Sequence, residues 1–117
     1  MSSASEIFTD SETVVILYFS SMGLSTSAVI QLVKHKCGLL RNSGAVSRKR
    51  IQLQNVNGLW INEKNDWNLF EVGKYIVRLN PTIAVESLIT FGPEEERIWD
   101  SAASFDRYLF QASTLIS

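Results

Sequence analysis

Between Lys34 and Gln54 the chain carries six bases, Lys34, Lys36, Arg41, Arg48, Lys49 and Arg50, and no acid. A block of one sign is an electrostatic footprint for phosphate, and a solvated helix face turned toward acidic groups gives the same pattern. Interleaved with the bases are Asn42, Ser43, Ser47 and Gln52, whose amides and hydroxyls can hydrogen-bond base edges or phosphate oxygens. The remaining chemistry is thinner. Lys34-His35-Lys36-Cys37 puts a histidine beside a cysteine, but the chain has one of each, and a zinc site needs three or four ligands. No metal site is expected. With no acid evident to orient His35, Cys37 reads as a packed structural thiol rather than a nucleophile. Glu94-Glu95-Glu96 follows Gly92-Pro93, and carboxylates in the first turn of a helix are accounted for by its dipole without a paired-acid mechanism. No phosphate-binding glycine loop or nucleophile elbow occurs, so the sequence predicts no enzyme and no cofactor.

The elements that must position the basic block are helices. The chain's 117 residues are 45% hydrophobic and 20% charged, which fits one folded domain rather than a disordered chain. Two prolines and six glycines are too few for the many tight turns of a small β-sandwich. Thr9-Asp10-Ser11-Glu12 fits a capping box and opens a first helix through Val14, Leu17, Tyr18 and Met22 that stops at Gly23. Ser25 caps a second, with Val29, Leu32 and Val33 as its apolar stripe, ending near Cys37-Gly38. Asn42 or Ser43 caps a third, through Ala45, Val46 and Leu53 to about Gln54. Asn57-Gly58 is a hairpin signal, but the flanking runs are short, so residues 53–65 are expected to form an irregular loop rather than a wing, with Trp60 anchored in the core. Asp66 is expected to cap a fourth helix, Trp67 to Leu79, with Phe70, Tyr75, Ile76 and Leu79 inward. Pro81 suits the first turn of a short fifth helix through Ile83, Val85, Leu88 and Ile89, apolar nearly all round. Gly92-Pro93 opens the last helix. Its seam, Ile98, Ala102, Phe105, Leu109, Ala112 and Ile116, packs on its own domain or pairs two copies. All three tryptophans, Trp60, Trp67 and Trp99, are expected to be buried.

Charge is segregated along the chain although the net value is −1. The six bases of the central block are followed, from residue 81 on, by six acids against Arg97 and Arg107. The longest strongly apolar run, Val14 to Phe19, follows Glu6, Asp10 and Glu12, which matches neither a signal peptide nor a membrane span. One thiol allows no intramolecular disulfide, and the expected compartment is intracellular.

Residues 8–79 resemble the Myb/SANT-like trihelical module of short fungal proteins. Phe8-Thr9 and Glu12 stand at its first helix, Gly38 near the end of its second, and Arg41 ahead of its third, where Ala45-Val46, Lys49-Arg50 and Leu53 keep the family spacing. Tyr18-Phe19-Ser20-Ser21, Lys36-Cys37-Gly38, Leu59-Trp60 and Trp67-Asn68 extend the likeness. Where such modules keep a tryptophan in the third helix this chain has Arg50. Either its stem is buried while its head escapes, or the helix rotates to bring Ile51 inward. Together with the helices read from capping and periodicity, the resemblance gives an expected all-α fold of about six helices: a loose N-terminus (1–8), a Myb/SANT-like module (9–80) and a C-terminal helical extension (81–117). It implies a nuclear, chromatin- or transcription-associated binding module, with the third helix and its approaches, Lys34, Lys36, Arg41, Asn42, Ser43, Ser47, Arg48, Lys49 and Gln52, against double-stranded DNA. The other reading is a protein-interaction or assembly domain whose apolar late helices meet a regulatory protein without DNA. A monomer is expected, with a dimer through 98–116 as the alternative.

Overall fold

The computed structural model describes residues 7–56, 58–79 and 84–102. Among them the fold is all-α: six helices and one minimal hairpin. None of these helices is long and apolar enough to cross a membrane.

Helix α1 (Asp10–Ser21) is the post around which the others stand. Thr9 caps it in a closed capping box: the Glu12 amide donates to Thr9 Oγ1 at 3.1 Å, and the Thr9 amide donates to the Glu12 carboxylate at 3.0 Å. Glu12 through Leu17, Phe19 and Ser20 are all buried, because α1 packs against α2 (Thr26–Cys37), α3 (Ser43–Gln54), α4 (Leu69–Leu79) and α5 (Val85–Ile89). Met22, expected among the apolar positions, is exposed. A helix surrounded on all sides needs no polar face, which explains the uninterrupted Val-Val-Ile-Leu run.

Helices α2 and α3 start as their sequences dictate. Ser25 Oγ accepts from the Ala28 amide at 3.3 Å, and Asn42 Oδ1 accepts from the Ala45 amide at 2.7 Å. Gly38 ends α2 at φ +82°, a left-handed conformation that costs glycine little. Val29, Leu32 and Val33 of α2 and Ala45, Val46 and Leu53 of α3 are buried against α1.

The segment after α3 departs from the expected irregular loop. Trp60–Ile61 (β1) pairs antiparallel with Asp66–Trp67 (β2), Trp60 opposite Trp67, and the two indoles cross edge to face with centroids 5.3 Å apart. The turn lies at residues 62–65, with Asn65 at φ +53°; Asn57 of the Asn57-Gly58 signal lies outside the described residues. This pairing also corrects the start of α4. Asp66 and Trp67 belong to the ladder, Asn68 Oδ1 accepts from the Glu71 amide at 3.2 Å, and α4 begins at Leu69. The delay changes which side faces in: Val72 and Ile76 are buried, Tyr75 and Leu79 are half-buried, and Phe70 points to solvent.

Helix α5 buries Val85 and Leu88 against α1. Residues 93–102 form α6, whose start is held by the Gly92 amide donating to Glu95 Oε1 at 2.7 Å. Of the proposed seam, Ile98 is half-buried and Ala102 buried, and the rest lies outside the described residues, as do Pro81 and Ile83. Trp67 is buried and Trp60 half-buried, but Trp99 is 43% exposed, lying edge-on to Phe91. Burial of all three tryptophans is therefore corrected: α6 packs through Ile98 and Ala102, and Trp99 occupies its outer side.

Ser20 is buried in α1, and its hydroxyl has no hydrogen-bond partner among the described residues. An unsatisfied buried hydroxyl is costly, and alanine is the better helix former. Ser20→Ala is expected to raise stability by about 1 kcal/mol, read as a higher urea midpoint at unchanged slope. A lowered midpoint would mean that the hydroxyl has a partner.

Candidate functional site

The basic block divides when folded. Arg41, expected at a phosphate, turns back onto α1: its Nε donates to Glu12 Oε2 at 2.7 Å and its Nη2 to Glu12 Oε1 at 2.9 Å and to the Ile7 carbonyl at 2.9 Å. The guanidinium also lies 4.7 Å from the Phe8 ring centroid. Burial acts to raise the Glu12 pKa, but the Arg41 hydrogen bonds, the Thr9 contacts and the Arg41 charge outweigh it and hold the carboxyl below its ordinary 4.5. Asn42, expected on the reading surface, has its side-chain oxygen on the α3 cap.

Lys36 is also withdrawn, with its side chain only 6% exposed. Its Nζ donates to the Ser87 carbonyl at 3.1 Å and the Thr90 carbonyl at 2.6 Å, closing the end of α5, and lies 3.3 Å from Glu95 Oε2 of α6. His35 Nε2 meets the same Glu95 oxygen at 2.9 Å and Glu94 Oε2 at 3.4 Å. The Gly92 amide, followed by the backbone amide of Glu95 itself and then by the Lys36 and His35 contacts, overcomes burial and brings the Glu95 pKa to about 2. One ligand atom from each of His35, Glu94 and Glu95 falls within 4.8 Å of the others, a set with the donors for a divalent cation. The Lys36 ammonium already occupies that charge position, and the cluster acts as a tie between α2, α5 and α6. Cys37 is half-buried. Burial, reinforced by Glu12 and partly opposed by Lys36, raises its thiol pKa, which favours the protonated, unreactive form.

What remains together is the outer side of α3. Ser43, Arg48 and Gln52 are exposed, and Ser47 and Lys49 are half-buried. Ala45, Arg48, Lys49 and Gln52 line a shallow hollow of about 340 Å³ closed at one side by Phe8. The Lys49 ammonium is 5.8 Å from the Phe8 ring centroid. Burial lowers its pKa, with the Asp10 carboxylate acting the other way. Arg50 is half-buried and sends its head to Thr26 Oγ1 at the start of α2 while Ile51 stays exposed, so the helix does not rotate to bring Ile51 inward. Lys34 is exposed on α2.

Sequence reasoning missed the Lys36–Glu95 tie, which joins remote parts of the chain and leaves no local signal. It also missed the outer face of α4, where Leu69, Phe70 and Val77 are exposed. The recurrence of Phe70 and Val77 seven residues apart was the available clue. Comparisons with family models, with curated proteins and with solved structures found no match.

Proposed function

We propose that the chain is a small nuclear binding module that contacts duplex DNA through α3, in the service of chromatin or transcription. One observation carries the reading: α3 packs chiefly on α1 and α2 while α4 and α5 gather on other sides of α1, and the α3 side left outward bears bases, hydroxyls and an amide but no acid. Arg48 and Gln52 stand one turn apart, spaced to reach neighbouring base edges, with guanine O6/N7 suited to the arginine and adenine N6/N7 to the glutamine. Ser43, Ser47 and Lys49 flank them and Lys34 precedes them, as phosphate contacts. Arg41 and Asn42 act behind this surface by fixing how α3 is held, while Lys36 ties α2 to α5 and α6 away from it.

The test is a salt series with random-sequence duplex DNA. Each phosphate contact contributes about 0.9 to the log–log slope, so Arg48→Ala with Lys49→Ala is expected to flatten the slope by about 0.9 through Lys49 and, with the Arg48 base contact also gone, to weaken binding at low salt. The circular dichroism of the variant should match that of the parent. Absence of binding by the parent at low salt, or identical binding by the double variant, would overturn the reading.

A further inference from the structure

We propose that the outer face of α4 is a docking surface for an acidic amphipathic helix of a partner protein. This goes beyond the α3 reading and lies on a different helix. Val72 and Ile76 of α4 point into the core. On the other side Leu69, Phe70 and Val77 are 61%, 73% and 66% exposed. Single exposed apolar residues are ordinary, but these three line one open hollow of about 590 Å³ together with Gly73, Lys74 and Arg78.

Two rows of side chains run along this face at four-residue spacing. Leu69, Gly73 and Val77 form one, and Phe70, Lys74 and Arg78 the other. The first has a gap at Gly73. Glycine inside a helix is less stable than alanine, and a Cβ at Gly73 would meet no atom within 4 Å, so packing within the described fold does not require it. A gap in a ridge is what a second helix uses to seat a side chain at close approach.

Charge selects the occupant. Both charged residues of the hollow are bases. Lys74 lies 5.3 Å from the Phe70 ring centroid and 3.6 Å from Glu71, a pair that leaves Arg78 as added positive charge. A second copy meeting this face by two-fold symmetry would bring like bases together. Residues 103–117 of the chain itself carry Asp106 and Arg107 and no net charge. A lipid surface offers no side chain to seat in the notch at Gly73. An acidic helix with apolar residues at i, i+3 or i+4 and i+7 satisfies both the notch and the bases.

The probe is a display library of random peptides of about 16 residues, long enough for some four helical turns, selected against the full chain and re-measured by fluorescence anisotropy. The expected result is a set of recovered peptides that are net acidic, carry apolar residues at helical spacing and gain helical signal on binding. Gly73→Leu and Val77→Glu should each weaken them by about tenfold or more, a factor of ten being about 1.4 kcal/mol, while Arg48→Ala leaves them unchanged. Gly73→Ala should raise the melting temperature of the free protein, which separates docking from folding. The proposal is overturned if no peptides are enriched, or if their binding ignores the Gly73 and Val77 substitutions. It is also overturned by binding of phosphatidylserine vesicles in place of peptides, by a dimer that Val77→Glu dissolves, or by a nuclear Overhauser contact between Phe70 and residues 103–117 that gives the face to the chain's own tail.

Discussion

Arg41→Ala is expected to lower the unfolding free energy by about 3 kcal/mol near neutral pH, at the low end of what removing one partner of a buried ion pair costs. Glu12 is 1% exposed, and without the guanidinium its carboxylate keeps, among the described residues, only the Thr9 contacts. The pH dependence identifies the cause. The Glu12 pKa is depressed below 4.5 in the folded protein, so its contribution is fully present above that value and is lost as pH falls through the folded one. The gap between parent and variant should therefore be widest near neutrality and narrow below pH 4.5. Glu12→Gln in the Arg41→Ala background removes the unpaired charge while keeping an acceptor for the Thr9 amide, and should recover part of the loss. A pH-independent gap, or a further loss in the double variant, would place the damage elsewhere.

Lys36→Met is expected to cost about 2 kcal/mol, because methionine fills the space of the stem but leaves the Ser87 and Thr90 carbonyls without their donor and Glu95 without its ammonium. With its pKa at about 2 in the parent, Glu95 stabilises the fold above the ordinary carboxyl range and loses that contribution as pH falls toward 2. Loss of Lys36 raises that pKa and moves the acid-induced loss of stability to higher pH, with the Gly92 amide retaining part of the depression. Urea unfolding at neutral pH and at steps down to about pH 2 reads both effects. Under conditions where the variant is folded, duplex binding should be unchanged. A drop in DNA affinity without a stability loss would return Lys36 to the α3 surface.

What the sequence made legible was local. Thr9 with Glu12, Ser25 and Gly38 are caps whose donors and acceptors lie within four residues, so spacing alone identifies them; at the third helix it left Asn42 and Ser43 as equal candidates, and Asn42 is the cap. The stripes of α2 and α3 followed from helical periodicity. What escaped depended on long-range pairing. Asp66 and Asn68 are both competent caps, and the choice was made by Trp60 pairing across to Trp67, which drew Asp66 into a strand and turned Phe70 outward. The partners of His35 and Lys36 lie between 51 and 60 residues on. The basic block was visible as composition, but the withdrawal of half of it into Glu12, Glu95 and Thr26 was not. The Arg50 position left two options in the sequence, and Thr26 decided between them.

The enclosure of α1 has a consequence for how the protein behaves outside its native state. Val14 to Phe19 is six residues of β-branched, aliphatic and aromatic side chains with no charge and no proline, the composition of a cross-β zipper segment. In the fold it is shielded in part by α5, which leaves the ribosome some seventy residues later. During synthesis, and again whenever the chain opens, the stretch with the strongest tendency to pair between chains waits longest for its cover. Helical capping at Thr9 then acts as a gatekeeper by holding those residues in a conformation that cannot join a strand stack, and heat-unfolded protein would aggregate through that stretch before it refolds.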